Sequence, residues 1–252
     1  MILYHYMPED TVLPKIIPLI NKRLDLQETL HLFFDAYDPT TLEQRVRELP
    51  IPTKFKKQLL PALRAQDRKT ATTIFEQAYD ANLHKLKKAK AHVTRLLNRC
   101  SNDMLNIANE LYANLPWRKR KYYVLISAFR SFASWGGDTV GIDYKLAIEA
   151  PQIVFYELFI TKTFEIADLL QIQAKDEQVW AIGELVAFYL VYRHKTSVRK
   201  CFSYLKDNTF KISDYYPVLT PIENQVLNFL NEYNGQLEKQ QVIKLFEIAR
   251  SI

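Results

Sequence analysis

The stretch "VFYELFITKTFE", residues 154–165, places a single carboxylate, Glu157, inside an apolar run. Its neighbours are apolar or aromatic: Val154, Phe155, Tyr156, Leu158, Phe159 and Ile160. A buried carboxylate is costly unless it is paired, protonated or bound to a ligand. A segment that is apolar nearly all round predicts a central helix, here over about 150–170, with Glu157 on a buried face.

The composition favours a helical globular protein. The chain has 252 residues, of which 48% are hydrophobic and 25% are charged. Only 5 residues are glycine, so tight turns should be few and no glycine-rich phosphate loop can be built. The formal net charge of +6 permits acidic partners without requiring them.

The chain shows no pattern typical of export or of membrane insertion. The opening "MILYHYMPED" lacks the basic and long apolar segments of a signal peptide, and "MILYHYM" predicts a first β-strand. No apolar run approaches the roughly 18 residues of a membrane span. Cys100 and Cys201 have no metal-type spacing and fit free thiols best, with a disulfide between them as the alternative. We therefore expect a cytoplasmic protein without a membrane partner.

The first half of the chain shows mostly helical spacing. Apolar residues recur at helical intervals over 14–37, and "DPTTLEQRVRELP" predicts a helix capped by Thr40 or Thr41. Helical patterns continue over 51–115. Aromatic and β-branched residues then predict strands over about 121–128 and 139–144, with "GGD" as a turn between them.

The second half predicts further helices. After the central helix, a second helix is expected over about 177–193. The stretch "LTPIENQVLNFLNEYNG" predicts another, with a capping box of Thr220 and Glu223 and with Gly235 past its end. The pattern indicates one mainly α domain with a small β-sheet over 1–252. Residues 1–115 are expected to be mostly helical, and 116–252 to hold the strands, the central helix and the C-terminal helices.

A second carboxylate repeats the situation of Glu157. Glu184 lies in "WAIGELVAFYL" and shares a helical face with Trp180, Ala181, Ala187 and Phe188. Two core helices therefore each carry one glutamate in an apolar stripe.

The layout of a sheet with a "GGD" turn, a central helix with a glutamate and a later helix with a glutamate resembles the gluzincin family of zinc metallopeptidases. The resemblance covers about 85–195. The first helix of that family reads His-Glu-x-x-His, in which both histidines bind zinc and the glutamate activates the metal-bound water. A glutamate on a later helix is the third ligand. The resemblance implies a zincin-like α+β fold, with Glu157 at the catalytic position and Glu184 at the third-ligand position.

This chain departs from the family at both histidines. It reads Tyr156-Glu157-Leu158-Phe159-Ile160, so no imidazole is present to bind zinc. The resemblance then implies a catalytically inactive protein, a pseudo-zincin without metal or other cofactor. It binds a peptide or protein in the remnant cleft, aligned by a strand within 122–128 or 139–144. The candidate binding residues are Tyr156, Glu157, Ile160, Glu184 and His194, of which His194 would fold back toward Glu157.

Three alternatives stay open. Glu157 is a plain core glutamate paired with a nearby Arg, Lys or Tyr, or it belongs to a metallohydrolase with unconventional ligands. The third is a nucleic-acid-binding helical protein that uses the basic stretches 85–99 and 118–121, the second with Trp117, Tyr122 and Tyr123 beside it. A solvated helix face explains the same basic residues without any ligand. The sequence indicates no oligomeric state.

Overall fold

A computed structural model describes residues 13–130, 134–193 and 211–252. The strand predicted in "MILYHYM", the candidate residue His194 and Cys201 lie outside these ranges. The described chain is mostly helical with a four-stranded sheet, which confirms the prediction of a mainly α protein with a small β-sheet. No helix of the described ranges combines the length and the apolar character that crossing a membrane requires.

The chain divides into two compact units, each assembled from separated segments. The helical unit comprises Met1–Lys15, Arg99–Tyr122 and Phe155–Ile252, and the sheet unit comprises Ile16–Asn98 and Tyr123–Val154. The boundary passes through helices and strands, not through linkers. The single domain over 1–252 stays a prediction, and each unit is described by itself.

The sheet has strands β1 (Lys15–Leu19), β2 (Lys121–Ser127), β3 (Ser134–Gly136) and β4 (Thr139–Asp143), in the order β1-β2-β4-β3. β2 and β4 are parallel, with Ser127 opposite Asp143, and β3 pairs with β4 antiparallel. Both predicted strands are confirmed. Gly137 has a φ of +65°, which a two-residue hairpin turn needs, so "GGD" makes the expected turn.

The expectation of a helix throughout 14–37 is wrong at its start. Residues Lys15–Leu19 form β1, and the helix α1 covers only Lys22–His31, followed by a π-helical turn over Leu32–Ala36. Pro18 lacks an N–H and is tolerated because β1 is at one end of the sheet order. Asn21 then caps α1 by accepting a hydrogen bond of 3.1 Å from the Leu24 N–H.

Three helices follow: α2 (Leu42–Glu48), α3 (Thr53–Arg64) and the 44-residue α4 (Arg68–Leu111). Thr41 is at the N-cap position of α2, as predicted, but its side chain makes no capping bond. Asp38 instead accepts a hydrogen bond of 2.8 Å from the Thr40 N–H and starts a short 3-10 turn ahead of α2. Asp67 likewise starts α4 by accepting from the Thr70 N–H at 3.0 Å. The helical pattern predicted over 51–115 is therefore two helices with one sharp break.

The later helices are α5 (Ala150–Leu169), α6 (Asp176–Phe188), α7 (Glu223–Glu232) and α8 (Lys239–Ile248). The central helix and its successor are confirmed, with a π-helical turn over Tyr189–Arg193 extending α6. Gly235 has a φ of +69° and donates to the Leu230 carbonyl at 2.9 Å, as predicted for a helix end. The predicted capping box is wrong, because the Glu223 carboxylate accepts from the backbone N–H groups of Ile212 and Ser213 instead.

Candidate functional site

α5 and α6 pack closely at Ile160 and Gly183, within the helical unit. A Cβ added to Gly183 would lie 3.2 Å from Ile160 Cγ2 and 3.3 Å from Ile160 Cα. Glycine therefore allows the two helices to approach at this point. Ile160 is a buried packing residue, and its side chain offers no polar atom to a ligand.

Tyr156, one helical turn before Ile160, connects α5 to Glu184 on α6. Its hydroxyl donates a hydrogen bond of 2.6 Å to Glu184 Oε2. Glu184 is only 5% exposed, and Trp180 lies one helical turn before it. Burial raises the pKa of Glu184, and the interactions of its carboxyl with Tyr156 and Trp180 work against the rise. Glu184 is thus a buried carboxyl group held by a neutral tyrosine donor.

Glu157 differs from Glu184 because its carboxyl has no partner among the described residues. Its side chain is half-buried and makes no hydrogen bond or ion pair within the described ranges. Burial, and then the charge of Glu184, raise the pKa of Glu157 to about 7. The interpretation of Glu157 as a paired core glutamate therefore finds no support among the described residues.

Aromatic side chains accompany the two carboxyl groups. The ring centroids of Tyr156 and Tyr192 are 6.4 Å apart, and those of Trp180 and Tyr216 are 5.3 Å apart in an edge-on arrangement. Burial raises the pKa of Tyr216, and the charges of Glu184 and Glu157 raise it further. We call this set the carboxylate–aromatic cluster: Tyr156, Glu157, Trp180, Glu184, Tyr192 and Tyr216.

The structure thus brings together Tyr156, Glu157, Ile160 and Glu184, four of the five residues singled out in the sequence. Sequence reasoning did not assign Trp180, Tyr192 or Tyr216 to the site. Trp180 had a usable signal, since it precedes Glu184 by one helical turn. Tyr216 had none, because it lies on a separate segment that only the tertiary fold places here.

A second buried charge, Lys162, was also missed. Its side chain is fully buried, its Nζ donates to the Leu115 carbonyl at 2.7 Å, and it lies 4.7 Å from the centre of the Trp117 ring. Burial lowers the pKa of Lys162 to about 7, against the opposing effect of Glu165. Glu165 in turn accepts hydrogen bonds from the Tyr122 hydroxyl and from the Arg118 N–H. Lys162 and Glu165 thus bond to groups of the same unit, and they connect α5 to the segment before β2.

The basic stretch 118–121 has two of its three aromatic neighbours in this core. Trp117 and Tyr122 are buried, so neither ring is free to stack on a base, whereas Tyr123 is half-buried. Arg118 forms an ion pair of 3.1 Å with Asp168. Nucleic-acid binding at this stretch stays a prediction, with only Tyr123 left as an accessible ring.

The basic stretch 85–99 is different, because four of its basic residues line a groove of the sheet unit. The groove has a volume of about 560 Å³. Its lining includes Lys85, Lys88, His92 and Arg95 from α4, and Tyr144 from the segment after β4. Lys85 Nζ lies 6.0 Å from the Tyr144 ring centre. This surface can attract an anionic ligand.

The sheet unit also contains a buried polar group at the carboxyl ends of its parallel strands. Asp25 accepts hydrogen bonds from the Ser127 hydroxyl at 2.6 Å and from the Ala128 N–H at 2.8 Å. Burial raises the pKa of Asp25 to about 6, and likewise that of Asp143. The Asp25 carboxyl connects α1 to the end of β2, which is a structural role.

Within the described ranges, no three or more His, Cys, Asp or Glu side chains are grouped in a way that suits a metal ion. Of the two glutamates at the aligned positions, Glu184 already accepts a hydrogen bond from the neutral Tyr156 hydroxyl. Comparison of the chain with family models, with curated proteins and with solved structures gave no match.

Proposed function

We propose that this protein is a catalytically inactive, metallopeptidase-like protein that binds a peptide or a protein segment. The observation that carries the loss of activity is the hydrogen bond from Tyr156 to Glu184. In the zincin-like alignment, a metal ion would lie between these two positions. A protonated phenol donates a hydrogen bond to a carboxylate, whereas a metal ligand must offer a lone pair.

The chemistry of the aligned positions supports a lost activity. Burial and Glu184 raise the pKa of Tyr156, so its hydroxyl keeps the proton at neutral pH. Ile160 has no donor atom at all. Glu157, with a pKa near 7, could act as a base, but the alignment leaves no imidazole to hold a metal-bound water beside it.

The proposal of peptide binding rests on the edge of the sheet. β2 and β4 are interior strands, so the expectation that one of them aligns a peptide is wrong, and β3 takes that place. The Tyr123 N–H donates a hydrogen bond of 2.8 Å to the Asp138 carbonyl, so the backbone groups of Asp138 point toward β2. Along β4, the backbone N–H and C=O groups of successive residues then point alternately toward β2 and toward β3. By that alternation Trp135, opposite Val140, turns its backbone N–H and C=O away from β4. These groups suit an added strand.

The zincin-like alignment is tested by restoring the missing histidines. The variant Tyr156→His with Ile160→His places two imidazoles one helical turn apart and frees Glu184 from its hydrogen bond. We expect calorimetry to show about one zinc per chain for this variant and none for the parent. The control adds Glu184→Gln, which should abolish the gain. Stoichiometric zinc in the parent would instead favour the metallohydrolase with unconventional ligands.

Peptide binding is tested separately at β3. Peptides selected from an unbiased decapeptide library are titrated against the parent, Trp135→Pro and Trp135→Ala. Proline removes the outward N–H without touching the bonds to β4, so we expect roughly tenfold weaker binding than for the alanine variant. Equal affinities of the two variants, or a library without binders, would contradict strand addition at β3.

The groove of the sheet unit favours a second candidate function, binding of a nucleic acid. Lys85, Lys88 and Arg95 recur on one face of α4, with Tyr144 beside them. Basic side chains next to an aromatic ring suit a phosphate backbone with a stacked base. The predicted cytoplasmic location is part of both proposed functions.

A further inference from the structure

We propose that the carboxylate–aromatic cluster is a binding site for an alkylammonium ion, such as the end of a lysine side chain. This inference concerns the helical unit alone. It does not rest on peptide binding at β3 or on the ancestry of the fold.

The charge of the cluster favours a cation. Neither Glu157 nor Glu184 forms an ion pair within the described ranges, and the tyrosine hydroxyl that donates to Glu184 is neutral. No basic group among the described residues acts on the pKa of Glu157, whereas Glu184 raises it. A cation at this point would relieve the repulsion between two partly buried carboxylates.

The surrounding aromatic rings favour an organic cation. The Tyr156 hydroxyl contacts Glu184, the Tyr192 ring lies 6.4 Å from the Tyr156 ring, and the Trp180 and Tyr216 rings are 5.3 Å apart. Indole and phenol rings attract ammonium ions through their faces. A bare metal ion needs several oxygen, nitrogen or sulfur ligands, which two carboxylates do not complete. Rings and carboxylates together suit an ion with both a charge and an alkyl body.

The cluster is accessible from solvent. Glu157, Tyr156 and Trp180 are half-buried, and Tyr216 is 41% exposed. Beyond Tyr216 the surface continues with two exposed apolar residues, Tyr215 at 69% and Val218 at 55%. The ion can thus reach the carboxyls while the chain that carries it rests on an apolar surface.

The test uses n-butylammonium chloride as the probe, with n-butanol as its uncharged analogue and sodium chloride at matched ionic strength as background. The full-length protein is titrated by calorimetry and by tryptophan fluorescence. We expect saturable binding of n-butylammonium and no saturable response to n-butanol. A parallel titration with tetramethylammonium separates methylated from primary ammonium ions, since only the latter donate hydrogen bonds to a carboxylate.

Two variants locate the site. Glu157→Gln removes the unpaired charge and should weaken n-butylammonium binding at least about tenfold, while Trp180→Leu should weaken it roughly threefold or more. Glu232→Gln removes an exposed carboxylate of α7 in the same unit and should leave the affinity unchanged. Absent binding, equal binding of n-butanol, or an affinity that Glu157→Gln leaves intact would each overturn the proposal.

Discussion

At the scale of single residues, the protonation state of Glu157 can be tested directly by substitution. Its carboxyl is half-buried and unpaired within the described ranges, with Glu184 beside it. The apolar runs predicted that both glutamates lie on buried faces. The hydrogen bond from the Tyr156 hydroxyl to Glu184 was not predictable, because it depends on how α5 and α6 pack together.

Glu157→Gln is expected to stabilise the fold at alkaline pH. The folded pKa of Glu157 is raised from 4.5 to about 7, so its stabilising contribution is complete below the unfolded value and is lost as pH rises through about 7. Glutamine keeps the size and carries no charge. We expect the variant to exceed the parent by roughly 1 kcal/mol in free energy of unfolding at pH 8, and by less at pH 5.

Thermal and urea denaturation of both proteins at pH 5 and pH 8 measure this difference. Glu232→Gln serves as the matched control, because it removes a carboxylate from an exposed helical position. A Glu157→Gln variant that loses stability, and loses more at pH 8 than at pH 5, would show that Glu157 has a cationic partner after all.

At the scale of elements, periodicity and turn residues predicted β2, β4, α5 and α6 close to their observed bounds. They failed over 14–37, since a strand and a helix there share apolar spacing and only pairing with β2 decides between them. The prediction of a capping box with Glu223 was wrong for a related reason. Its carboxylate binds backbone N–H groups of a neighbouring turn that local sequence reasoning did not include.

Gly141→Ala is expected to destabilise the sheet unit. An added Cβ on β4 would lie 2.6 Å from Arg130 Nε and 2.7 Å from its Cζ. The Arg130 side chain is only 13% exposed, and its Nη2 pairs with Glu28 at 3.5 Å, so it must shift to admit the methyl group. We expect a loss of about 1–3 kcal/mol in free energy of unfolding, measured by urea denaturation.

A double-mutant cycle isolates the cause of that loss. With Arg130→Ala in the background, the space beside Gly141 is empty and the cost of Gly141→Ala should fall by about 0.5 kcal/mol or more. An equal loss of free energy of unfolding in both backgrounds would mean that Gly141 is required for its backbone conformation and not for the close approach of Arg130.

At the scale of the whole molecule, function depends on residues that distant segments contribute. The carboxylate–aromatic cluster draws on α5, α6 and the turn that holds Tyr216, and the basic groove draws on α4 and the segment after β4. Sequence spacing within one helix revealed the members on that helix. It could not show that Trp117 and Tyr122 are lost as stacking surfaces beside 118–121, because their burial is a tertiary property.

The distribution of basic charge therefore predicts weak nucleic-acid binding that depends steeply on salt. Lys85, Lys88 and Arg95 would neutralise about three phosphates, so log K should fall against log salt with a slope of about −3. Lys85→Gln with Lys88→Gln should reduce that slope by about 2. Lys239→Gln with Lys244→Gln on α8 removes the same charge from another exposed helix and should leave the slope unchanged.

Fluorescence anisotropy with a labelled oligonucleotide between 20 and 200 mM salt, roughly the range over which such contacts weaken, measures the slopes of the parent and of both double variants. Tight binding that persists at physiological salt would point to base contacts beyond this groove and would make nucleic-acid binding the leading function.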